Sequence, residues 1–327
     1  MPDRAGDVVI TSAGRRVQLV RYFQRALERH RVAGRVVVTE ADPAWSAAAR
    51  VADSCEQAPR VDAPGYPGFI VDLVRRRAAR MIVPTIDTEL LGLARLRTEL
   101  ESIGCMAVVS DASLVETCRD KRLSDAWFCS LGFDAPKILD RSALHFPCFV
   151  KPYDGSLSRG ARALLTPESV SPDLLSDEKL IFMEWFSPAE YDEYTVDAFY
   201  GHGGDLLCVV PRLRVEVRGG EISKGVAQRG RFYEVLLERL RRVRGARGCL
   251  TFQFFASRLQ PRWVAIEVNP RFGGGYPLSQ AAGVDYPDWL VREHYLGERL
   301  DFFDGWRERT AMTRFDDEVI FQLPGDR

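Results

Sequence analysis

The chain has 327 residues, 46% of them hydrophobic, and a formal net charge of −1 from 45 Lys+Arg against 46 Asp+Glu. That length supports two or three subdomains with cores of their own, and the charge balance excludes both a basic nucleic-acid surface and an acidic disordered tail. No stretch approaches the roughly 20 apolar residues of a membrane span, and the start of the sequence lacks a signal-peptide apolar region. Seven scattered cysteines without a CxxC pair fit a reducing cytosol, so a soluble cytoplasmic protein without nucleic-acid or membrane partners is expected. Only five of the basic residues are lysine; a coding bias accounts for the arginine excess and makes each lysine conspicuous.

Residues 7–11 read as a strand, 15–31 as a helix and 34–40 as a second strand. A helix over 67–80, a buried strand over 81–85, a helix over 89–103 and a strand over 107–110 follow. Alternation of this kind predicts a parallel sheet with helices on its faces. Beyond 110 the texture changes. After a helical stretch at 114–131, strands dominate at 148–152, 161–165, 180–185, 194–200 and 206–218. A helix at 233–243, strands at 249–256 and 263–268, a Gly/Pro-rich turn at 269–277, helices at 278–282 and 286–296 and an alternating strand at 311–322 complete the reading. The boundary is expected near 110–115.

Four segments carry chemistry. The first, Thr11-Ser12-Ala13-Gly14-Arg15-Arg16, is a strand-to-helix turn without the spaced glycines of a dinucleotide fingerprint. It reads as structural, with Arg15 or Arg16 in position to reach a substrate. In the second, a strand delivers Lys151 into the loop Pro152-Tyr153-Asp154-Gly155-Ser156-Leu157-Ser158-Arg159-Gly160, where a lysine and small residues suit phosphate oxygens. No Walker sequence is present. The third is the apolar strand ending in Glu184-Trp185-Phe186, followed by Glu193-Tyr194-Thr195-Val196-Asp197; its backbone can meet an adenine edge and Glu193 a ribose. The fourth is the most specific. Gln253 lies in one strand, and Glu267 and Asn269 share a face of the next because side chains alternate. A carboxylate beside amide oxygens suits hard Mg²⁺, an unpartnered Glu267 among apolar neighbours would be costly, and Arg271 follows directly. Arg212 and Arg214 also share a strand face, while Asp87 and Glu89 follow the strand at 81–85; each set reads equally as substrate contacts or as an exposed strand face and helix-start carboxylates.

The order of these parts resembles the ATP-grasp superfamily, in the branch similar to the large subunit of carbamoyl-phosphate synthetase. The likeness runs from Val8 to about Phe321 and is sharpest in Ile266-Glu267-Val268-Asn269-Pro270-Arg271-Phe272-Gly273-Gly274-Gly275-Tyr276-Pro277-Leu278. It implies an α/β protein: an N-terminal Rossmann-like parallel-sheet domain over 1–112, then an ATP-grasp fold of two α+β subdomains at 113–186 and 187–327. By the same likeness Lys121 and Lys151 contact ATP, and residues 154–160, with Ser156, Ser158, Arg159 and Gly160, form a lid. The backbone of Glu184, Trp185 and Phe186 holds adenine, and Glu193 the ribose. Gln253, Glu267 and Asn269 surround Mg²⁺ or Mn²⁺, and Arg271 stabilises the transferring phosphoryl group. Arg212, Arg214 and Arg271 are assigned to the acid, Asp87 or Glu89 to the amine, and Gly274 and Gly275 to the substrate pocket. A homodimer is the family-level expectation.

The implied activity is an ATP- and Mg-dependent carboxylate–amine ligase acting through an acyl phosphate on small molecules. It needs no protein nucleophile, and the four histidines (30, 145, 202 and 294) are isolated in the sequence. The same site would serve a phosphotransferase, the alternative reading; a nucleotide sensor without turnover fits the intact set Lys151, Glu267, Asn269 and Arg271 poorly.

Overall fold

The structure, a computed structural model, describes residues 5–153, 160–230 and 233–322, apart from the side chains at 121 and 122. The first layer is a parallel sheet of β1 (Val8–Thr11), β2 (Val36–Glu40), β3 (Ser54–Gln57), β4 (Met81–Pro84) and β5 (Met106–Ala107), in the order β3-β2-β1-β4-β5. Helices α1 (Val17–Arg29), α2 (Ala47–Val51), α3 (Tyr66–Arg77) and α4 (Asp87–Ser102) make the crossovers. Strand alternation sends Val8 and Ile10 into one core and Val9 into another, so both faces of the sheet are covered. Edge strand β3 escapes a hydrophobic reading because its Ser-Cys-Glu-Gln sequence is polar and half-buried.

The helix expected over 114–131 is two, α5 (Ala112–Arg119) and α6 (Lys121–Ser130), because Asp120 takes an extended backbone conformation between them. A small antiparallel sheet follows, of β6 (Cys148–Pro152), β7 (Arg162–Leu164) and β8 (Leu180–Glu184) in the order β7-β6-β8, with α7 (Pro172–Ser176) in its second connection. It has its own core of Cys148, Val150, Leu164, Leu180 and Phe182.

The large sheet contains β9 (Tyr191–Tyr200), β10 (Leu206–Arg218), β11 (Glu221–Ala227), β12 (Gly248–Ser257), β13 (Trp263–Asn269) and β14 (Thr310–Thr313), ordered β13-β12-β9-β10-β11-β14 and antiparallel throughout. Helices α8 (Tyr233–Leu240), α9 (Tyr276–Ala282) and α10 (Tyr286–Leu296) accompany it. Strand β11 goes unseen in the sequence because Glu, Ser, Lys and Gly interrupt its apolar positions; Gly219 and Gly220, both at positive φ, turn β10 back into it. The strand expected over 311–322 shortens to β14, since its paired register with β11 ends at Thr313 and the last bond to β11 is from the Arg314 N–H to the Ser223 carbonyl.

One apolar face of the large sheet, with Tyr194, Val196, Phe252 and Phe254, receives Phe128 of α6 and Phe133. The same core continues into the N-terminal sheet. Phe23 of α1 meets Phe272 edge-on at 6.3 Å, Tyr22 meets Tyr276 at 6.0 Å, and the Tyr295 hydroxyl donates to the Gly6 carbonyl at 3.1 Å. Helix α1 is thereby seated against the turn that follows β13. No described helix is long and apolar enough to cross a membrane.

Candidate active site

The other face of the large sheet is polar, and strand alternation builds it. Glu193, Thr195 and Asp197 of β9, Arg212 and Arg214 of β10, Thr251 and Gln253 of β12, and Glu267 and Asn269 of β13 all meet there. The β12–β13 register puts Gln253 directly opposite Glu267, next to an irregularity between Gln253 and Phe254 that bends the strands beside the site.

Around Gln253 the polar groups are in contact. Its amide donates to Glu193, and Glu193 faces the Arg214 Nε at 3.1 Å. Arg214 also donates to Thr195 Oγ1 at 3.2 Å and the Gly220 carbonyl at 3.1 Å. Burial holds the Arg214 pKa below its usual value against the opposing pull of Glu193. The Asn269 amide donates to Glu267 Oε1 at 3.1 Å. Among the described residues no three His, Cys, Asp or Glu side chains converge on one point. The donor set is instead one carboxylate, Glu267, flanked by the amides of Gln253 and Asn269. These hard oxygens fit Mg²⁺, which completes its shell from phosphate and water.

Arg271 closes this end. Its guanidinium makes a two-point ion pair with Asp87 at the start of α4, at 3.0 and 2.7 Å. The N-terminal domain thus reaches the polar face of the large sheet. Burial would lower the Arg271 pKa, but Asp87 together with Glu267 outweighs it and the net shift is upward. Glu89, two residues on, points elsewhere. It is 2% exposed and accepts from the Thr85 and Ile86 N–H groups, Ser12 and the Tyr66 hydroxyl, all within its own domain. This is the helix-start role.

Arg212 and Arg214 share the predicted face but have different surroundings. Arg212 is 1% exposed and paired at 2.9 Å with fully buried Asp197, which also accepts from Thr251 and Ser279. Its Nε and Nη1 have no hydrogen-bond partner among the described residues. Gly275 lies so close that a Cβ there would stand 2.1 Å from Arg212 Nη1, and one on Gly274 would stand 2.4 Å from Glu221 Oε1. Both glycines are therefore required by close approach of charged groups.

Lys151 is buried on β6. At the end of β8 the Glu184 N–H is occupied by the Lys137 carbonyl, and its carboxylate stands 3.7 Å from Arg262. Phe186 is buried against Tyr191 and Phe255, and Trp185 is half-buried. Gly160 is described, at positive φ; Ser156, Ser158 and Arg159, and the side chain of Lys121, lie outside the described residues.

Two residues of this region have no signal in the sequence. Glu221 begins the unforeseen strand β11, and Arg314 follows the shortened β14; they pair at 2.6 Å, with Arg314 also donating to the Gly274 carbonyl at 2.6 Å. The doublet Arg15-Arg16 was the only hint of a third. Arg16 stands within electrostatic reach of Arg271, Glu221, Asp87 and Arg314.

Two family models match the chain: the PylC-like N-terminal domain over residues 8–108, and ATP-grasp in the biosynthetic pathway with Ter operon over 176–312. No curated protein matches it. Among solved structures, the biotin carboxylase domain of Hydrogenobacter thermophilus 2-oxoglutarate carboxylase superposes with a TM-score of 0.70 at 17% identity, covering 93% of this chain and 72% of that one. Campylobacter jejuni biotin carboxylase gives 0.70 at 12% identity, with 93% and 74% covered. Staphylococcus aureus N5-carboxyaminoimidazole synthetase, solved with ADP, gives 0.69 at 14% identity, with 90% and 78% covered. At these identities the likeness is one of fold. Parallel N-terminal sheet, small antiparallel sheet and large antiparallel sheet agree with it, and the chain combines a PylC-like N-terminal region over 8–108 with a region over 176–312 that matches an ATP-grasp family model.

Proposed function

We propose that this chain is an ATP- and magnesium-dependent ligase that joins a carboxylate to an amine through an acyl phosphate, releasing ADP and phosphate. The observation that carries the reading is the alignment of Gln253, Glu267 and Asn269 on adjacent strands, with Arg271 fixed beside them by Asp87. The fold neighbours support the nucleotide: one structure holds MgADP, ADP and bicarbonate, another ADP.

In this reading Lys151 and Lys121 neutralise ATP phosphates, with residues 154–160 as the lid over them. The backbone at Trp185 and Phe186 meets adenine, since the Glu184 N–H is already bonded. Glu193, steadied by Gln253 and Arg214, meets the ribose. Gln253, Glu267 and Asn269 would hold magnesium, which when bound screens the charge of the phosphates. The acid's carboxylate oxygen attacks the γ-phosphorus and ADP departs; the amine nitrogen then attacks the acyl carbon and phosphate departs with the C–O electron pair. Arg271 and Arg214 stabilise charge on the transferring group, while Asp87 faces the amine, which attacks as the free base, and the proton its nitrogen then loses leaves with the departing phosphate. The protein contributes positioning and charge. The subdomain division at 112 and 186 and a homodimer belong to the same proposal.

The test is product analysis with panels of small acids and amines. Phosphate release that requires both partners, with an amide detected by mass and a hydroxamate formed when hydroxylamine replaces the amine, is the expected result. Phosphate retained on an organic product would make the enzyme a phosphotransferase instead.

A further inference from the structure

Beyond the proposed phosphate and metal groups, the turn after β1, the loop at 273–275 and the residue after β14 bring a second set of charges together. Arg271 is paired with Asp87, and Arg314 with Glu221. Arg16, within electrostatic reach of all four, has no hydrogen-bond or ion-pair partner for its guanidinium among the described residues. Arg15 also acts on Glu221 and Glu267 on Arg271, and of the guanidiniums that face this cluster Arg16 is a buried one left without an ion-pair partner among the described residues.

The surroundings hold this arrangement firmly. Thr85 Oγ1 donates to the carbonyls of Thr11 and Ser12, at 3.0 and 2.7 Å, and Ser46 Oγ donates to that of Gly14 at 3.2 Å. Helix α1, which starts at Val17 directly after Arg16, is locked to the loop by the Phe23–Phe272 and Tyr22–Tyr276 contacts. Arg314 clasps the loop from the other side through the Gly274 carbonyl and Glu221. Burial first, and then repulsion from Arg271, push the Arg16 pKa down to about 10. An added anion would relieve that repulsion. A guanidinium suits a planar carboxylate in two-point contact.

We propose that Arg16, within electrostatic reach of Arg314 and Arg271, is a recognition subsite for a carboxylate that does not react. One of the two organic substrates would then carry a free carboxylate besides the reacting groups. It belongs either to the acid, as a dicarboxylate, or to the amine, as an amino acid. The inference rests on the ligase reading for the reacting centre but not for the binding of the anion.

The test is thermal shift and calorimetry on the full chain with magnesium and a nonhydrolysable ATP analogue. The probes are succinate and glutarate against their monoamides, and α-amino acids against their amides. Arg16→Gln should lose tenfold or more in affinity for the probes with the free carboxylate, with Arg16→Lys recovering part of it. The exposed Arg21→Gln on the same helix should behave as wild type. Response to the dicarboxylates assigns the subsite to the acid, and response to the amino acids assigns it to the amine. Arg16→Gln binding like wild type, amides binding as well as acids, or no carboxylate binding at all would overturn the subsite. Binding of the ATP analogue in the same samples is the separate check: its absence in wild type would instead overturn the nucleotide reading.

Discussion

Asp87 and Arg271 are 184 positions apart in the chain yet meet in a two-point ion pair at 3.0 and 2.7 Å. One lies at the first turn of α4, after a strand of the N-terminal sheet; the other follows β13 of the ATP-grasp region. The pair ties the proposed phosphoryl-transfer arginine to a different domain, so the two domains fix its direction jointly. Arg271→Lys, which keeps the charge but loses the planar fork, should lower kcat on the order of 10²-fold while leaving the ATP constant nearly unchanged. Asp87→Asn should raise the apparent constant for the amine. Steady-state kinetics over each substrate checks both, and near-normal turnover of the Lys variant would remove Arg271 from the reacting centre.

Glu267 is the only carboxylate in the donor set Gln253, Glu267 and Asn269. Glu267→Ala should lower turnover on the order of 10²-fold or more in a folded protein, as should Lys151→Ala on β6. Chelation should abolish turnover and added magnesium restore it in wild type. A Glu267→Ala enzyme with an unchanged magnesium dependence would place the metal elsewhere.

The resemblance and the strand alternation together made much of this site legible. Glu267 and Asn269 do share a face, with Gln253 opposite Glu267 on the next strand; the Arg214–Glu193 contact was not foreseen. Alternation could not distinguish Arg212 from Arg214, because the difference lies in what packs against them: Asp197, itself held by Ser279, and Gly275 crowd the first. Nor could it separate Asp87 from Glu89. That choice depends on the helix start, where the residue at the third position turns back to cap and the first pairs with Arg271 instead. Glu221 and Arg314 were hidden because Glu221 opens an interior strand whose apolar positions are interrupted by polar residues and glycine, and Arg314 follows a pairing of only four residues. Their partnership is long-range, and a single sequence carries no local mark of it.

The Asp197–Arg212 pair is fully buried, at 0% and 1% exposure. Asp197→Ala leaves an uncompensated guanidinium and should cost about 3–5 kcal/mol. Converting both, as Asp197→Leu with Arg212→Met, should cost less than the single change, since no charge is stranded. Gly275→Ala should destabilise by about 1–3 kcal/mol, because the added Cβ meets an arginine that its own ion pair prevents from moving. Urea unfolding measures all three. A double variant less stable than Asp197→Ala would show that the network, rather than the stranded charge, carries the energy.

His294 gives a pH dependence with a definite sign. Burial first, then the neighbouring His202, Arg247 and Arg80, depress its pKa to about 3. In the unfolded chain the imidazole titrates near 6.5. Between those values the unfolded state binds the extra proton, so stability is fully present above about 6.5 and falls as pH drops toward 3. From pH 7 to 5.5 the loss from this group alone amounts to about 1 kcal/mol. Glu293, whose Oε2 lies 3.6 Å from the His294 ring nitrogen, has its pKa raised by burial. It works in the opposite direction, because the folded state takes up that proton first as pH falls. Its contribution grows toward lower pH, which is why the comparison stops at 5.5. Urea midpoints at pH 7.0 and 5.5 for wild type and His294→Gln isolate the imidazole, and the variant should show the smaller drop. Equal drops in the two proteins would mean that His294 is protonated in the folded state over this range, and the site between β5 and α10 would then have to accommodate a second charge beside Arg80 and Arg247.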